Sequence, residues 1–351
     1  MKKHIFHYSI AELVPYIDWS YFLHAWGLSP NTKGCSTADE VVRDANEMLN
    51  EMQERYSTHA IFALCDARGD GDNIIIEETL LPLLRQQHAI AGKPNLCLSD
   101  YVSPYGDKIG LFATTVDSAF GQEYINDDYM RILSSALADR LAEATATLMH
   151  RNVRSSKELW GYALGEKLSV EELNREEYQG IRPAIGYPSL PDQSIIFIID
   201  KLLQLSDIGI KLTSNGAMSP HSSVCGMMLQ HPLARYFAVG AIGNGQLHDY
   251  ASRRGIPEEE LRKFLAKQRH FAQRFLHNPF EVLGCIAIHY KNIEHALVVC
   301  NKNVVLLLAS VNIFVPVNYP YRDKEQPTGQ LAPYNGRVIV AVLYFQILAE
   351  H

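Results

Sequence analysis

A rigid segment near the middle of the chain places the strongest limit on what this sequence can fold into. Residues 178–188 read Tyr-Gln-Gly-Ile-Arg-Pro-Ala-Ile-Gly-Tyr-Pro, and Pro191 follows shortly after. Because proline fixes φ and lacks a backbone N–H, neither a helix nor a central strand can run through this segment. The segment, which we call the proline loop, is therefore predicted to be stiff and irregular. Such a loop suits a small anionic or zwitterionic ligand, although an ordinary connection with a surface arginine explains the same residues.

The composition limits the class of protein. The chain has 351 residues and 47% hydrophobic content, enough for one large domain or two. Its 32 basic and 39 acidic residues give a net charge of −7, which argues against nucleic-acid binding because that needs clustered positive charge. Residues 1–8 lack the apolar run of a signal peptide, and the six cysteines include no CxxC pair. These features predict a cytoplasmic protein with reduced thiols.

Residues 1–269 carry alternating helical and strand patterns. Helices are predicted where apolar residues recur at helical spacing, and their ends where capping residues, glycine or proline occur. Strands are predicted at short apolar runs bounded by polar turns. The predicted elements are helices from Thr37 to about Tyr56, from about Asp128 to Arg151, from Gln246 to Arg254 and from Pro257 onward, and strands at 60–64, 74–76 and 236–242.

The composition changes after residue 269. Of the 71 charged residues, only 11 lie in 270–351. Residues 304–317 are strongly apolar, but this run of 14 is too short to cross a bilayer, and a longer run back to Leu297 takes in Lys302 between two asparagines. Buried strands are therefore favoured over a membrane span. We predict a domain at 1–269 and an apolar C-terminal extension of unknown role at 270–351.

Three motifs have the spacing of functional sites but simpler interpretations. Residues 66–77 match a calcium loop, yet Arg68 occupies a position that requires an oxygen ligand, so a polar hairpin turn is favoured. Residues 240–245 read GxxGxG rather than GxGxxG, which favours a plain turn over a nucleotide-binding loop. His221 and Cys225 are four residues apart, but their surroundings favour a loop, and no zinc-type cluster accompanies them. No metal site is predicted.

Four separated segments carry a resemblance to a known family. They are 16–22 (YIDWSYF), 136–144 (ALADRLAEA), 160–162 with 176–188 (WGY and EEYQGIRPAIGYP), and 217–220 with 231–239 (AMSP and HPLARYFAV). In order, spacing and residue identity they resemble the activation domain of cobalamin (vitamin B12)-dependent methionine synthase, over about residues 10–266. The resemblance implies an α+β fold with a twisted antiparallel sheet surrounded by helices.

The resemblance also implies binding of S-adenosylmethionine. Carboxylates and aromatic faces suit the sulfonium and ammonium cations of this ligand, and an arginine suits its carboxylate. In the family the arginine and alanine of the loop lie against the ligand, and its second tyrosine stands near the methyl group, which makes Tyr187 the candidate catalytic residue. Carried over one by one, the ligand-binding residues are Asp18, Glu143, Glu176, Arg182, Ala184, Tyr187, Tyr236 and Phe237.

Several of these residues also have structural explanations. Asp18 is equally suited to capping a helix, Glu143 falls on the solvent side of a helical wheel, and Glu176 belongs to an acidic run. Tyr236 and Phe237 would point to opposite faces of the predicted strand, so at least one is expected in the core.

The family's role implies a partner-dependent reaction. The activation domain presents the methyl group of S-adenosylmethionine to cob(II)alamin that has received an electron from a flavodoxin-like donor. This chain contains no DxHxxG stretch, so cobalamin is expected on a separate methionine synthase core.

The chain also has Ile185 where the family commonly has proline, and Ser-Leu-Pro-Asp-Gln at 189–193 where a Cys-Pro-Glu-His-like run is common. A noncatalytic module that senses S-adenosylmethionine or caps a corrinoid protein is the alternative, and a scaffold that binds neither is the third hypothesis.

Overall fold

The computed structural model describes residues 1–28, 36–87, 92 and 94–265, together with the backbone of 296–301 and 303–308. The chain divides into two compact units, Met1–Lys267 and Gln268–His351. The helices are α1 (Ile10–Leu13), α2 (Trp19–Ala25), α3 (Ser36–Met52), α4 (Asp128–Ser155), α5 (Val170–Asn174), α6 (Ile196–Leu203), α7 (Asn244–Arg254) and α8 (Glu258–Phe264). The strands are β1 (Lys2–Ser9), β2 (Ser57–Asp70), β3 (Asn73–Ile76), β4 (Thr79–Pro82), β5 (Asp107–Val116), β6 (Lys211–Leu212), β7 (Met218–Ser219), β8 (Ser223–Met228), β9 (Ala296–Asn301) and β10 (Asn303–Leu308).

The long strand β2 is the centre of the sheet in the first unit. One edge of β2 pairs with β1 through residues 57–64 and with β3 through residues 67–70. The other edge pairs with β5 through residues 58–67. The strand order is β4-β3-β2-β5-β8, with β1 beside β2, and these pairings are antiparallel. The predicted α+β fold with an antiparallel sheet among helices is therefore confirmed.

Both faces of this sheet are covered because alternate residues of β2 point to opposite sides. Ile61 and Ala63 belong to a core cluster that includes Ile196 and Ile199 of α6. Ala60 and Phe62 belong to a second cluster, which includes leucines of α4. The sheet is thus held between α6 on one face and α4 on the other.

Helix α4 supplies the longest apolar surface against the sheet. Asp127 caps its start by accepting a hydrogen bond from the backbone N–H of Met130 at 3.1 Å. Leu133, Leu137 and Leu141 follow at helical spacing and are fully buried. The predicted helix at 128–151 is confirmed, and it runs four residues further, to Ser155.

The proline loop covers the outer edge of β8. Ile181 and Leu229, which follows β8, exchange two backbone hydrogen bonds of 2.9 Å. The N–H of Ile185 donates to the carbonyl of Cys225 at 2.9 Å, and the N–H of Met227 donates to the carbonyl of Pro183 at 3.1 Å. The loop is therefore attached to the sheet like a distorted extra strand, which its prolines prevent from becoming regular.

Two glycines permit this close attachment. A Cβ on Gly226 of β8 would lie 2.3 Å from the carbonyl oxygen of Pro183, and one on Gly180 would lie 2.3 Å from the carbonyl oxygen of Leu229. Gly180 also has φ +82°, in the left-handed region that favours glycine. Side chains larger than hydrogen at either position would push the loop away from the sheet.

Several element predictions hold. The hairpin at 66–77 is confirmed: the N–H of Glu77 donates to the carbonyl of Asp66 at 2.8 Å. Helix α7 ends at Gly255, which has φ +64°, and α8 follows Pro257 as predicted.

One element prediction is wrong, and two others are right in type but not in their bounds. Residues 236–242 form no strand. The backbone N–H of Val239 donates to the carbonyl of Pro188 in the proline loop, and Phe237 packs against two apolar clusters, so neither residue pairs with a strand. Helix α3 already includes Thr37, so Thr37 does not cap it, and the helix ends at Met52 instead of Tyr56. The strand predicted at 60–64 is the middle of the much longer β2.

The second unit is described only at β9 and β10, which pair antiparallel with Ala296 opposite Leu308. Strand β10 covers the first residues of the predicted apolar run, and 309–317 lie outside the described residues. The predicted domain boundary after residue 269 also lies outside them and stays a prediction. In the part of the chain that is described, no helix is long and apolar enough to cross a membrane.

Substitution Gly226→Ala tests the close approach of the loop. The added methyl would overlap the carbonyl of Pro183, so we expect the free energy of unfolding to fall by about 1–3 kcal/mol. Gly165→Ala is the control because a Cβ there meets open space, and it should change stability by less than about 0.5 kcal/mol. Urea denaturation of both variants measures the difference, and equal stability would show that the loop is not held by this contact.

Candidate functional site

Arg182 of the proline loop is the cation at the centre of the candidate site. Its side chain is 14% exposed and lies against α4, where Nη2 is 4.0 Å from a carboxylate oxygen of Glu143. Nη1 and Nη2 also donate to the hydroxyl of Thr147 at 3.4 and 3.3 Å. Burial alone would lower the pKa of Arg182, but Tyr178, Tyr236, Glu143 and Glu176 outweigh burial and raise it. Arg182 is therefore held charged next to Glu143 of α4.

Glu143 and Tyr187 join the helix to the far end of the loop. The hydroxyl of Tyr187 donates to Oε1 of Glu143 at 3.0 Å. The negative charge of Glu143 raises the pKa of Tyr187, and burial and this hydrogen bond raise it further. Tyr187 as a whole is 53% exposed, so it lies at the open side of the site. Glu143 therefore contacts two of the three loop residues expected at the ligand, Arg182 and Tyr187.

Tyr236 lies beneath the loop and supports it. Its hydroxyl accepts the backbone N–H of Arg182 at 2.8 Å and lies 3.3 Å from the hydroxyl of Tyr178. Burial, followed by Tyr178, raises the pKa of Tyr236 well above its ordinary value. The hydroxyl of Tyr236 is therefore neutral and already occupied by the backbone of the loop.

Asp18 and Glu176 share the electrostatic surroundings of Tyr21. Burial raises the pKa of Tyr21, and Asp18, Glu176 and Glu143 raise it further. Asp18 also caps α2, since Oδ1 accepts the backbone N–H of Ser20 at 2.9 Å and of Tyr21 at 3.2 Å. Glu176 has φ +59° at the entry to the proline loop. The structure thus brings three of the predicted carboxylates to one aromatic ring.

The last two predicted residues differ in their surroundings. Ala184 forms a bridge with Gly226 at the sheet edge, so its small side chain lies on the loop between Arg182 and Tyr187. Phe237 packs against two core clusters, which agrees with the expectation that one of the 236–237 pair is a core residue. No strand forms at these residues, so Phe237 is partly buried by packing against the two clusters and not by facing one side of a sheet.

A polar stripe runs along α4 and is not among the features predicted from the sequence. Its members are spaced by three or four residues and so share one helix face, and they are Arg140, Glu143, Thr147, His150 and Arg154. Thr147 donates to the carbonyl of Glu143 at 3.1 Å, which leaves its oxygen to accept from Arg182. Arg140 lies 6.0 Å from the ring centroid of Tyr21. The three-and-four spacing of polar residues was the signal available in the sequence.

The group composition indicates which ligands suit the site. Groups of both signs act on this region: Asp18, Glu143, Glu176 and Arg140 influence the pKa of Tyr21, and Glu143 and Glu176 influence that of Arg182. Such a mixture of anionic and cationic groups favours a ligand that itself carries charges of both signs. In the described residues no cluster of three or more histidine, cysteine, aspartate or glutamate side chains has the arrangement of a metal site.

Substitution Glu143→Gln tests the electrostatic coupling within the site. Because the charge of Glu143 is the largest cause of the raised pKa of Tyr187, its loss should lower that pKa towards the ordinary value of a tyrosine. Titration of the Tyr187 Cζ resonance by NMR measures the shift. Glu47→Gln, at a well-exposed position of α3, is the control and should leave the resonance unchanged; an unshifted pKa in Glu143→Gln would contradict the coupling.

Comparison with known proteins identifies the family. The model of the vitamin B12 dependent methionine synthase activation domain matches residues 9–255. A crystal structure of the MetH reactivation domain bound to AdoHcy is 37% identical with a TM-score of 0.71, and the match covers 76% of this chain and 90% of that chain. The resemblance inferred from the four sequence segments is thus confirmed. The chain belongs to the family of vitamin B12-dependent methionine synthase activation domains.

Proposed function

We propose that this chain binds S-adenosylmethionine and supports reductive methylation of cob(II)alamin held by a methionine synthase core. The observation that carries the proposal is the position of Glu143 of α4, which lies 4.0 Å from Arg182 and 3.0 Å from the hydroxyl of Tyr187. Both of these partners belong to the loop most specific to the family. The related MetH reactivation domain bound to AdoHcy supports it, because AdoHcy is the product that S-adenosylmethionine leaves after methyl transfer.

Arg182 is suited to bind the carboxylate of the ligand. Its guanidinium has five donors in a planar fork, and its contacts with Thr147 and Glu143 are 3.3 Å or longer. A ligand carboxylate can replace these long contacts with shorter, charge-assisted hydrogen bonds. The bond from the backbone of Arg182 to Tyr236 would hold the loop in place while its side chain binds.

The carboxylates are suited to the two cations of the ligand. S-Adenosylmethionine carries a sulfonium, an ammonium and a carboxylate, so its charges of both signs match the carboxylates and arginines described above. Glu143 is already placed between Arg182 and Tyr187 and can accept the ammonium group. Tyr187, half exposed at the edge of the site, can lie beside the methyl group and leave it accessible from outside.

The chain's contribution to the reaction is positioning. Cobalamin, when bound to the synthase core and reduced by a flavodoxin-like donor, supplies the cobalt nucleophile. This chain holds the sulfonium ligand between the proline loop and α4, so that the methyl group faces the open side beyond Tyr187. Fixing the orientation of the reacting group in this way converts an encounter between two freely rotating molecules into an aligned one.

Calorimetry with Arg182→Ala tests ligand binding. Losing a charge-assisted hydrogen-bond donor should weaken S-adenosylmethionine binding by about 1.5–3 kcal/mol, or roughly ten- to a hundredfold in Kd. Arg43→Ala is the control because Arg43 is 62% exposed on α3, and its Kd should match the wild type. Equal affinities in the two variants would rule out Arg182 as the carboxylate-binding residue.

A labelling experiment tests methyl transfer. The protein is mixed with a methionine synthase core in the cob(II)alamin state, reduced flavodoxin and methyl-labelled S-adenosylmethionine. We expect label in the cobalamin fraction, and less of it with Arg182→Ala at subsaturating ligand. Tight binding without transfer of label would instead support the alternative, a module that senses S-adenosylmethionine or caps a corrinoid protein.

A further inference from the structure

A buried ion pair lies at the end of α4, and neither of its residues is among those expected to touch the ligand. Arg154 has a side chain only 1% exposed, and its Nε and Nη2 donate to Oε2 of Glu166 at 2.8 and 2.6 Å. A buried guanidinium is costly without such a partner. Arg154 lies on the same face of α4 as Glu143 and Thr147, so the pair is placed below the candidate site.

Glu166 also contacts the proline loop. While Oε2 binds Arg154, Oε1 accepts the backbone N–H of Gln179 at 3.4 Å. The side chain of Gln179 donates to the carbonyl of Gln230 at 3.0 Å, which follows β8. One carboxylate therefore links the helix that carries Glu143 to the first residues of the loop.

Tyr178 extends this link to Arg182. The guanidinium of Arg154 lies over the ring of Tyr178, 4.5 Å from its centroid. The hydroxyl of Tyr178 lies 3.3 Å from that of Tyr236, which accepts the backbone N–H of Arg182 at 2.8 Å. A continuous series of contacts thus runs from Glu166 to the backbone of the residue expected to bind the ligand.

His150 also packs against the ring of Tyr178. Its ring meets that of Tyr178 edge to face at 4.9 Å, and Nε2 lies 2.9 Å from the hydroxyl of Tyr162. Burial, with Arg154 and Arg182 nearby, lowers the pKa of His150 well below its ordinary value. The imidazole is therefore neutral and adds no repulsion to Arg154, and the ring of Tyr178 contacts both side chains.

We propose that Arg154 and Glu166 are positioning residues for ligand binding: through Tyr178 and Tyr236 they set the distance between Arg182 and Glu143 of α4. The proposal rests on the function proposed above. A pair that served stability alone would have no reason to contact the loop at both Gln179 and Tyr178. The same contacts mean that disturbing the pair should alter the backbone of Arg182 before it alters the sheet.

Glu166→Gln tests the proposal in the full chain, well below the unfolding temperature. We expect the amide of Arg182 to exchange with deuterium at least tenfold faster, and S-adenosylhomocysteine to bind at least tenfold more weakly by calorimetry. Amides of β2 and β5 should remain protected. Arg85→Met is the matched control, because Arg85 is another well-paired arginine, bound to Asp72 and Asp100 instead of to the loop; it should lower the unfolding temperature without changing either quantity.

Wild-type exchange at Arg182 and wild-type affinity in Glu166→Gln would overturn the proposal. If that variant fails to fold, Tyr178→Phe keeps the ring that contacts Arg154 and His150 and removes only the hydroxyl. Faster exchange at Arg182 is again expected, and unchanged exchange there overturns the proposal. If the wild type does not bind S-adenosylhomocysteine, the proposed function fails, while the exchange rates still decide the positioning role.

Discussion

The backbone hydrogen bonds between the proline loop and the edge of β8 are the constraint on which the rest of the site depends. They exist because Gly226 and Gly180 allow two backbones to approach more closely than any side chain would permit. Once the loop is held there, Arg182 must lie against α4, and Tyr187 must reach Glu143. The sheet edge, which would otherwise expose unpaired backbone groups, is satisfied by the segment that carries the site.

The sequence predicted those parts of the fold that local patterns determine. The apolar repeat of α4, the glycine that ends α7 and the hairpin after β2 depend on residues close together in the chain. Helix α4 ends four residues later than predicted, and the extension includes Arg154, which is buried against Glu166. Residues 236–242 have strand-forming side chains, but among the described residues no strand pairs with them, and pairing decides whether a strand forms.

The candidate site was predicted through resemblance, and its geometry was not predictable from spacing. A helical wheel places Glu143 on the solvent side of α4 because the wheel cannot show that the proline loop covers that face. Asp18 serves as both helix cap and neighbour of Tyr21, so the structural and functional interpretations of that residue are compatible. Tyr236 was expected at the ligand, and the structure adds a supporting contact to the backbone of Arg182.

The hydrogen bond from Ile185 to Cys225 has a consequence for how this loop can vary between relatives. A proline at position 185, as the family commonly has, stiffens a chain through its ring but cannot donate this bond. Isoleucine gives up the ring and gains a 2.9 Å backbone bond to the sheet. Two chemically different residues can thus restrict the same segment, one through covalent geometry and one through pairing. Either residue at this position is therefore compatible with the same attachment of the loop to the sheet.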